Sequence, residues 1–165
     1  MKRIILTFAL CISCILTNAQ IQRNFFGCTI GSTTWNEAIS AITKKCMMIS
    51  ESNRQNGEIC IDNIKFAGNN FNHAYMSFYN GVLSKISFII MDKELESYKD
   101  LKKKLKVKYS SYLDSEEDYN MFFMDDDMSI INLSHTYTEG VHLTVLLYLD
   151  GMLCFEESLF EDNEL

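Results

Sequence analysis

Residues 76–88 read MSFYNGVLSKISF, two alternating stretches on either side of Asn80-Gly81. Asn-Gly between alternating apolar runs is a strong signal for a β-hairpin, and the loop it closes decides which side chains meet in the core. A two-residue loop pairs Tyr79 with Val82 and mixes polar with apolar side chains on both faces. A three-residue loop pairs Phe78 with Val82, Met76 with Ser84 and Ala74 with Ile86. The second register gathers Ala74, Met76, Phe78, Val82, Ile86, Phe88 and Ile90 on one face, so it is the one expected. Tyr75, Ser77, Leu83, Lys85 and Ser87 then stand on the other.

Upstream, FFGCTIGSTTWNEAI (residues 25–39) leads into a helix. Thr34 with Glu37 three residues later forms a capping box. Trp35, Ala38, Ile39, Ile42 and Cys46 follow at helical spacing, which predicts a helix from Trp35 to Met48. Gly27 and Gly31 lack the lysine that a nucleotide-phosphate loop requires. Strands are expected over Glu58 to Phe66, Asn72 to Phe78 and Val82 to Met91, after a polar span from Ser50 to Gly57. A second helix starts after Asp92, with Leu95, Tyr98, Leu101, Leu105, Tyr109 and Tyr112 as its buried stripe and lysines outside.

Downstream lie strands over Asn120 to Met124, Met128 to Tyr137, Val141 to Leu149 and Met152 to Phe155. Gly140-Val141 sits 59 residues beyond Gly81-Val82, and the same three-residue loop puts Leu133, Tyr137, Val141, Leu143, Val145 and Leu147 inward. The pattern predicts an α+β fold of two αβββ-like halves, about 25–91 and 92–155, with an antiparallel sheet and helices on one face. The module spans 20–155, and 156–165 form an acidic tail.

Lys2 and Arg3, an apolar core from Ile4 to Leu16, then Thr17-Asn18-Ala19 read as a signal peptide over 1–19. This implies export to the periplasm or the extracellular space. A lipoprotein is the weaker reading, because Cys11 stands where a lipid-attachment box at Cys14 wants leucine. Beyond the leader, 13 bases face 22 acids, a net charge of −9, which argues against nucleic acid. Residues 109–165 hold 14 acids and no Lys or Arg, a pattern that fits a solvated acidic end and can also pair with the basic half or meet a basic partner. Cys28, Cys46, Cys60 and Cys154 are disulfide candidates or buried thiols, and their linear spacing matches no zinc pattern.

No nucleophile stands beside a base in the sequence, and no cofactor is implied. The register above sends His135 inward and His142 outward, so the two are not expected to share a metal or a proton. Asp125, Asp126 and Asp127 form an acidic turn, the nearest approach to a metal site, but lack the further spaced carboxylates of calcium loops. The outward face offers Tyr75, Leu83, Lys85, His142, Thr144, Leu146 and Tyr148, large half-polar side chains suited to protein recognition.

FFGCTIGSTTWNEAI, the helix it opens and the hairpin MSFYNGVLSKISF resemble the small exported α+β modules grouped around the β-lactamase inhibitor protein and the outer-membrane assembly lipoprotein of the SmpA/OmlA type. The resemblance covers residues 25–91 and, in outline, 92–155. It departs where the polar span Ser50 to Gly57 replaces a second short helix. It implies tandem units and recognition through an exposed sheet face. The expected function is an exported, non-enzymatic protein-binding module, an inhibitor or immunity-type factor whose partner is a basic protein. The alternatives are an envelope assembly factor touching the membrane through the Lys-rich second helix, and a small hydrolase.

Overall fold

A computed structural model describes residues 20–53 and 56–161. The expected signal peptide, residues 1–19, and residues 162–165 of the expected tail lie outside the described residues.

The described residues begin with a small hairpin, β1 (Asn24–Phe25) and β2 (Cys28–Thr29), then α1 (Trp35–Lys44). Four strands follow: β3 (Ile49–Asn53), β4 (Glu58–Phe66), β5 (Asn69–Tyr79) and β6 (Val82–Asp92). After α2 (Glu96–Tyr109) and a 3-10 turn come β7 (Leu113–Glu117), β8 (Asn120–Met124), β9 (Ser129–Thr138), β10 (Val141–Asp150) and α3 (Gly151–Glu161). The result is α+β: β3 to β10 form one antiparallel sheet in the order β3-β4-β5-β6-β10-β9-β8-β7.

The capping box forms, with Thr34 N–H donating to Glu37 Oε2 at 2.8 Å. α1 ends four residues earlier than expected, because Cys46 turns left-handed (φ 55°) and faces solvent. β3 and β7 arise in segments too polar to read as strands, and both are edge strands, where one row of backbone groups meets water.

The hairpin at Asn80-Gly81 takes the two-residue loop. Both residues are left-handed (φ 49° and 79°), the geometry that matches strand twist, and Tyr79 pairs with Val82. A bulge cures the mixing of faces. Phe78 pairs with Leu83 but Ser77 with Lys85, leaving Ser84 as the extra residue, its hydroxyl donating to the Ser77 carbonyl at 3.1 Å. Leu83 therefore turns inward and is fully buried.

The Glu139-Gly140 hairpin also has a two-residue loop but no bulge, pairing Val141 with Thr138, Thr144 with His135, Leu146 with Leu133 and Tyr148 with Ile131. Relative to the expected register, β10 is shifted by one residue, and such a slip exchanges its faces. Thr144, Leu146 and Tyr148 are buried, whereas Leu143, Val145 and Leu147 are half-buried on the opposite side.

α1, α2 and the β1–β2 hairpin cover the inner face. Phe25 lies 4.6 Å from Tyr148, 5.5 Å from Phe66 and 5.8 Å from Phe88 between ring centroids. Trp35 meets Phe78 at 5.1 Å, while Tyr98, Leu101, Leu105 and Tyr109 seat α2. The expected strand at Met152 to Phe155 is instead the start of α3. Asp150 Oδ1 accepts from the amides of Met152 (3.0 Å) and Leu153 (3.1 Å), an N-cap, and its other oxygen pairs with Arg23. α3 lies against β10 and β5 on the outer face, crossing β6, where Lys85 approaches Glu157 at 3.8 Å. The helices thus occupy both faces.

Candidate functional site

Of the seven expected sheet-face residues, only Tyr75 and Lys85 stand on the outer face. Leu83, Thr144, Leu146 and Tyr148 belong to the interior; burial, and then Tyr109, drive the Tyr148 phenol well above its ordinary pKa. His142 is half-buried on the inner side, its Nδ1 2.9 Å from His135 Nε2. The expectation that these imidazoles are separated is thereby overturned, for the same reason as the buried tyrosine: the slipped register of β10.

The outer face is apolar where the register puts it in the open. Cross-strand pairs Ile89–Val145 and Met91–Leu143 lie toward one end of the central β6–β10 pair, Met91 being 47% exposed. α3, which packs toward the Lys85 end of this strand pair, presents a separate apolar row, Met152, Phe155 and Leu159, spaced i, i+3 and i+7 and exposed by 55%, 60% and 47%. Helical spacing after an Asp cap was the available signal for α3; Asp150-Gly151 also reads as a turn, which hid it. Glu156 borders the row, whereas Glu157 points the other way, toward Lys85 on the sheet.

At the β4–β5 end of the outer face stands a second group. Alternation puts Cys60 and Asp62 on one side of β4, and pairing sets His73 opposite Asp62 and Tyr75 opposite Cys60. His73 Nδ1 is 2.7 Å from Asp62 Oδ1, and Cys60 Sγ is 4.0 Å from each of these atoms. Hydrogen bonding to His73, then to Ser50, holds the Asp62 carboxyl below the usual range. The Cys60 thiol, followed by burial, raises the Tyr75 phenol. Linear spacing hides this cluster, because its members meet only across a strand pair.

The acidic turn is structural. Asp125 Oδ1 accepts from the amides of Asp127 (3.1 Å) and Ser129 (2.8 Å), and Oδ2 from that of Ile21 (3.3 Å), so backbone donors occupy both oxygens. The four cysteines among the described residues are free thiols: Cys28 and Cys60 buried, Cys154 half-buried, Cys46 exposed.

Ion pairs from Arg23 to Asp150, from Lys85 to Glu157, and from Lys102 and Lys106 to Glu116 tie the basic half to the acidic end. Among the described residues, no helix is long and apolar enough to cross a membrane. No family model, curated protein or solved structure matches the chain.

Proposed function

We propose that the chain is an exported, non-enzymatic recognition module that binds another protein through α3 and the adjoining outer sheet face. One observation carries this reading: the exposed apolar row Met152, Phe155 and Leu159 along α3, with Glu156 beside it. Exposed apolar patches rimmed by charge mark interaction sites. Because residues 109–165 carry no Lys or Arg, the matching partner surface is an apolar cleft with a basic rim.

The resemblance to tandem inhibitor-type modules fits the order of elements. Four strands follow α1 and four follow α2, and β6 pairs with β10 between the two sets. We read these as two αββββ halves: the first gains β3, and the second gains β7 while its expected last strand, Met152 to Phe155, is helical. Membrane contact through α2 is less favoured, since Lys99, Lys102, Lys104 and Lys106 pair with Glu96, Glu116 and Asp100.

The test is affinity capture from envelope extracts of the producing cell, comparing wild type with Met152→Asp/Phe155→Asp and with Val107→Asp on exposed α2. The reading expects a stoichiometric, salt-sensitive partner that is lost only with the α3 variant. Capture indifferent to the α3 substitutions, or loss equally caused by Val107→Asp, contradicts it.

A further inference from the structure

Three donor atoms, Cys60 Sγ, Asp62 Oδ1 and His73 Nδ1, lie within 4.8 Å of one another. Two arrangements use a thiol, an imidazole and a carboxylate. In a nucleophile relay the imidazole bridges, with one ring nitrogen facing the nucleophile and the other the carboxylate. Here Asp62 and Cys60 both approach Nδ1, so the ring does not bridge them. Convergence of all three donors on one point is the geometry of metal ligands.

Tetrahedral zinc bonds of about 2.0–2.3 Å separate ligand atoms by roughly 3.3–3.8 Å. From the present spacings, the sulfur closes by a few tenths of an ångström and the Nδ1–Oδ1 pair opens by about half an ångström. Both changes are within side-chain reach, for His73 and Asp62 are only partly buried, with side chains 33% and 22% exposed.

We propose that Cys60, Asp62 and His73 form a zinc-binding site on the outer face, with the fourth coordination position left to water. A thiolate and an imidazole select zinc over calcium or magnesium, which take oxygen ligands. Binding displaces the thiol proton, and the proton His73 shares with Asp62 leaves Nδ1 for the other ring nitrogen or for solvent. Affinity therefore falls as pH falls. Among the described residues, this is the one such group of three or more His, Cys, Asp and Glu side chains.

The test titrates the purified chain, reduced and stripped with chelator, with Co2+, reading the thiolate-to-cobalt charge-transfer band and the tetrahedral visible bands, then displaces the cobalt with Zn2+. The expected result is saturation at one equivalent with a thiolate band that zinc removes. Cys60→Ser abolishes the band, His73→Ala weakens binding at least tenfold, and a variant with Cys28, Cys46 and Cys154 all changed to Ser keeps the band. Circular dichroism checks each fold; if Cys60→Ser unfolds, partly exposed His73 decides. Absence of a thiolate band in wild type, its survival in Cys60→Ser, or full affinity in His73→Ala overturns the proposal.

Discussion

His135 Nε2 and His142 Nδ1 lie 2.9 Å apart on the inner face of the β9–β10 pair, with the rings of Tyr98 and Tyr119 5.5 Å and 5.3 Å from His135. A hydrogen bond between two imidazoles needs one donor and one acceptor, so at least one ring is neutral. Burial, and then the neighbouring His142, hold the pKa of His135 below its ordinary value. The unfolded chain thus binds more protons here over the window from the depressed value up to about 6.5. Stability rises with pH through that window, is fully present above it and is lost as pH falls through it. Urea midpoints from pH 7.5 down to 5.5 should fall in wild type and fall less in His135→Gln. Equal pH dependence in the two contradicts this.

Leu83 distinguishes the bulged hairpin from the three-residue loop. Being fully buried, it should cost about 2–5 kcal/mol on replacement by Ala, as measured by chemical denaturation. On the alternative register it faces solvent, and the loss would stay within about 0.5 kcal/mol.

Tyr109 carries a buried hydroxyl without a hydrogen-bond partner. Leaving such a group unsatisfied costs about 1–3 kcal/mol. Tyr109→Phe should therefore leave stability unchanged or raise the thermal midpoint, whereas a loss above about 1 kcal/mol would reveal a partner for that oxygen.

Gly31 joins the two ends of the fold. Its φ is +88°, and an added Cβ would run into Arg23 Nη2 and stand 2.9 Å from Asp150 Oδ2, the pair beside the α3 cap. Gly81 has a similar φ of +79° but nothing within 4 Å. Both replacements by Ala strain the backbone by about 1–3 kcal/mol. Gly31→Ala should be clearly worse, because it must also displace the ion pair; equal losses would contradict that close approach.

Elements with a strong internal period were legible in the sequence. Thr34 and Glu37 announced α1, and the stripe from Tyr98 to Tyr109 announced α2, because helix periodicity and capping are local. Asn80-Gly81 located its turn but not its register, which depends on a bulge at Ser84 that only packing of Leu83 and Phe78 selects. In β10 both faces are apolar, so alternation could not tell Leu143, Val145 and Leu147 from Leu146 and Tyr148. The slip then misplaced His142 and with it most of the expected binding face. Cys60, Asp62 and His73 were invisible for a different reason: cross-strand neighbours leave no signature in linear spacing.

Side-chain oxidative footprinting of the free chain and of the captured complex tests the recognition surface most directly. Met152 and Phe155 should label readily alone and be shielded together in the complex, while Tyr137, 62% exposed on the other side, stays reactive. If the α3 row is already shielded in the free chain, or if protection falls on Tyr137 and α2 instead, the surface proposed for the partner is wrong.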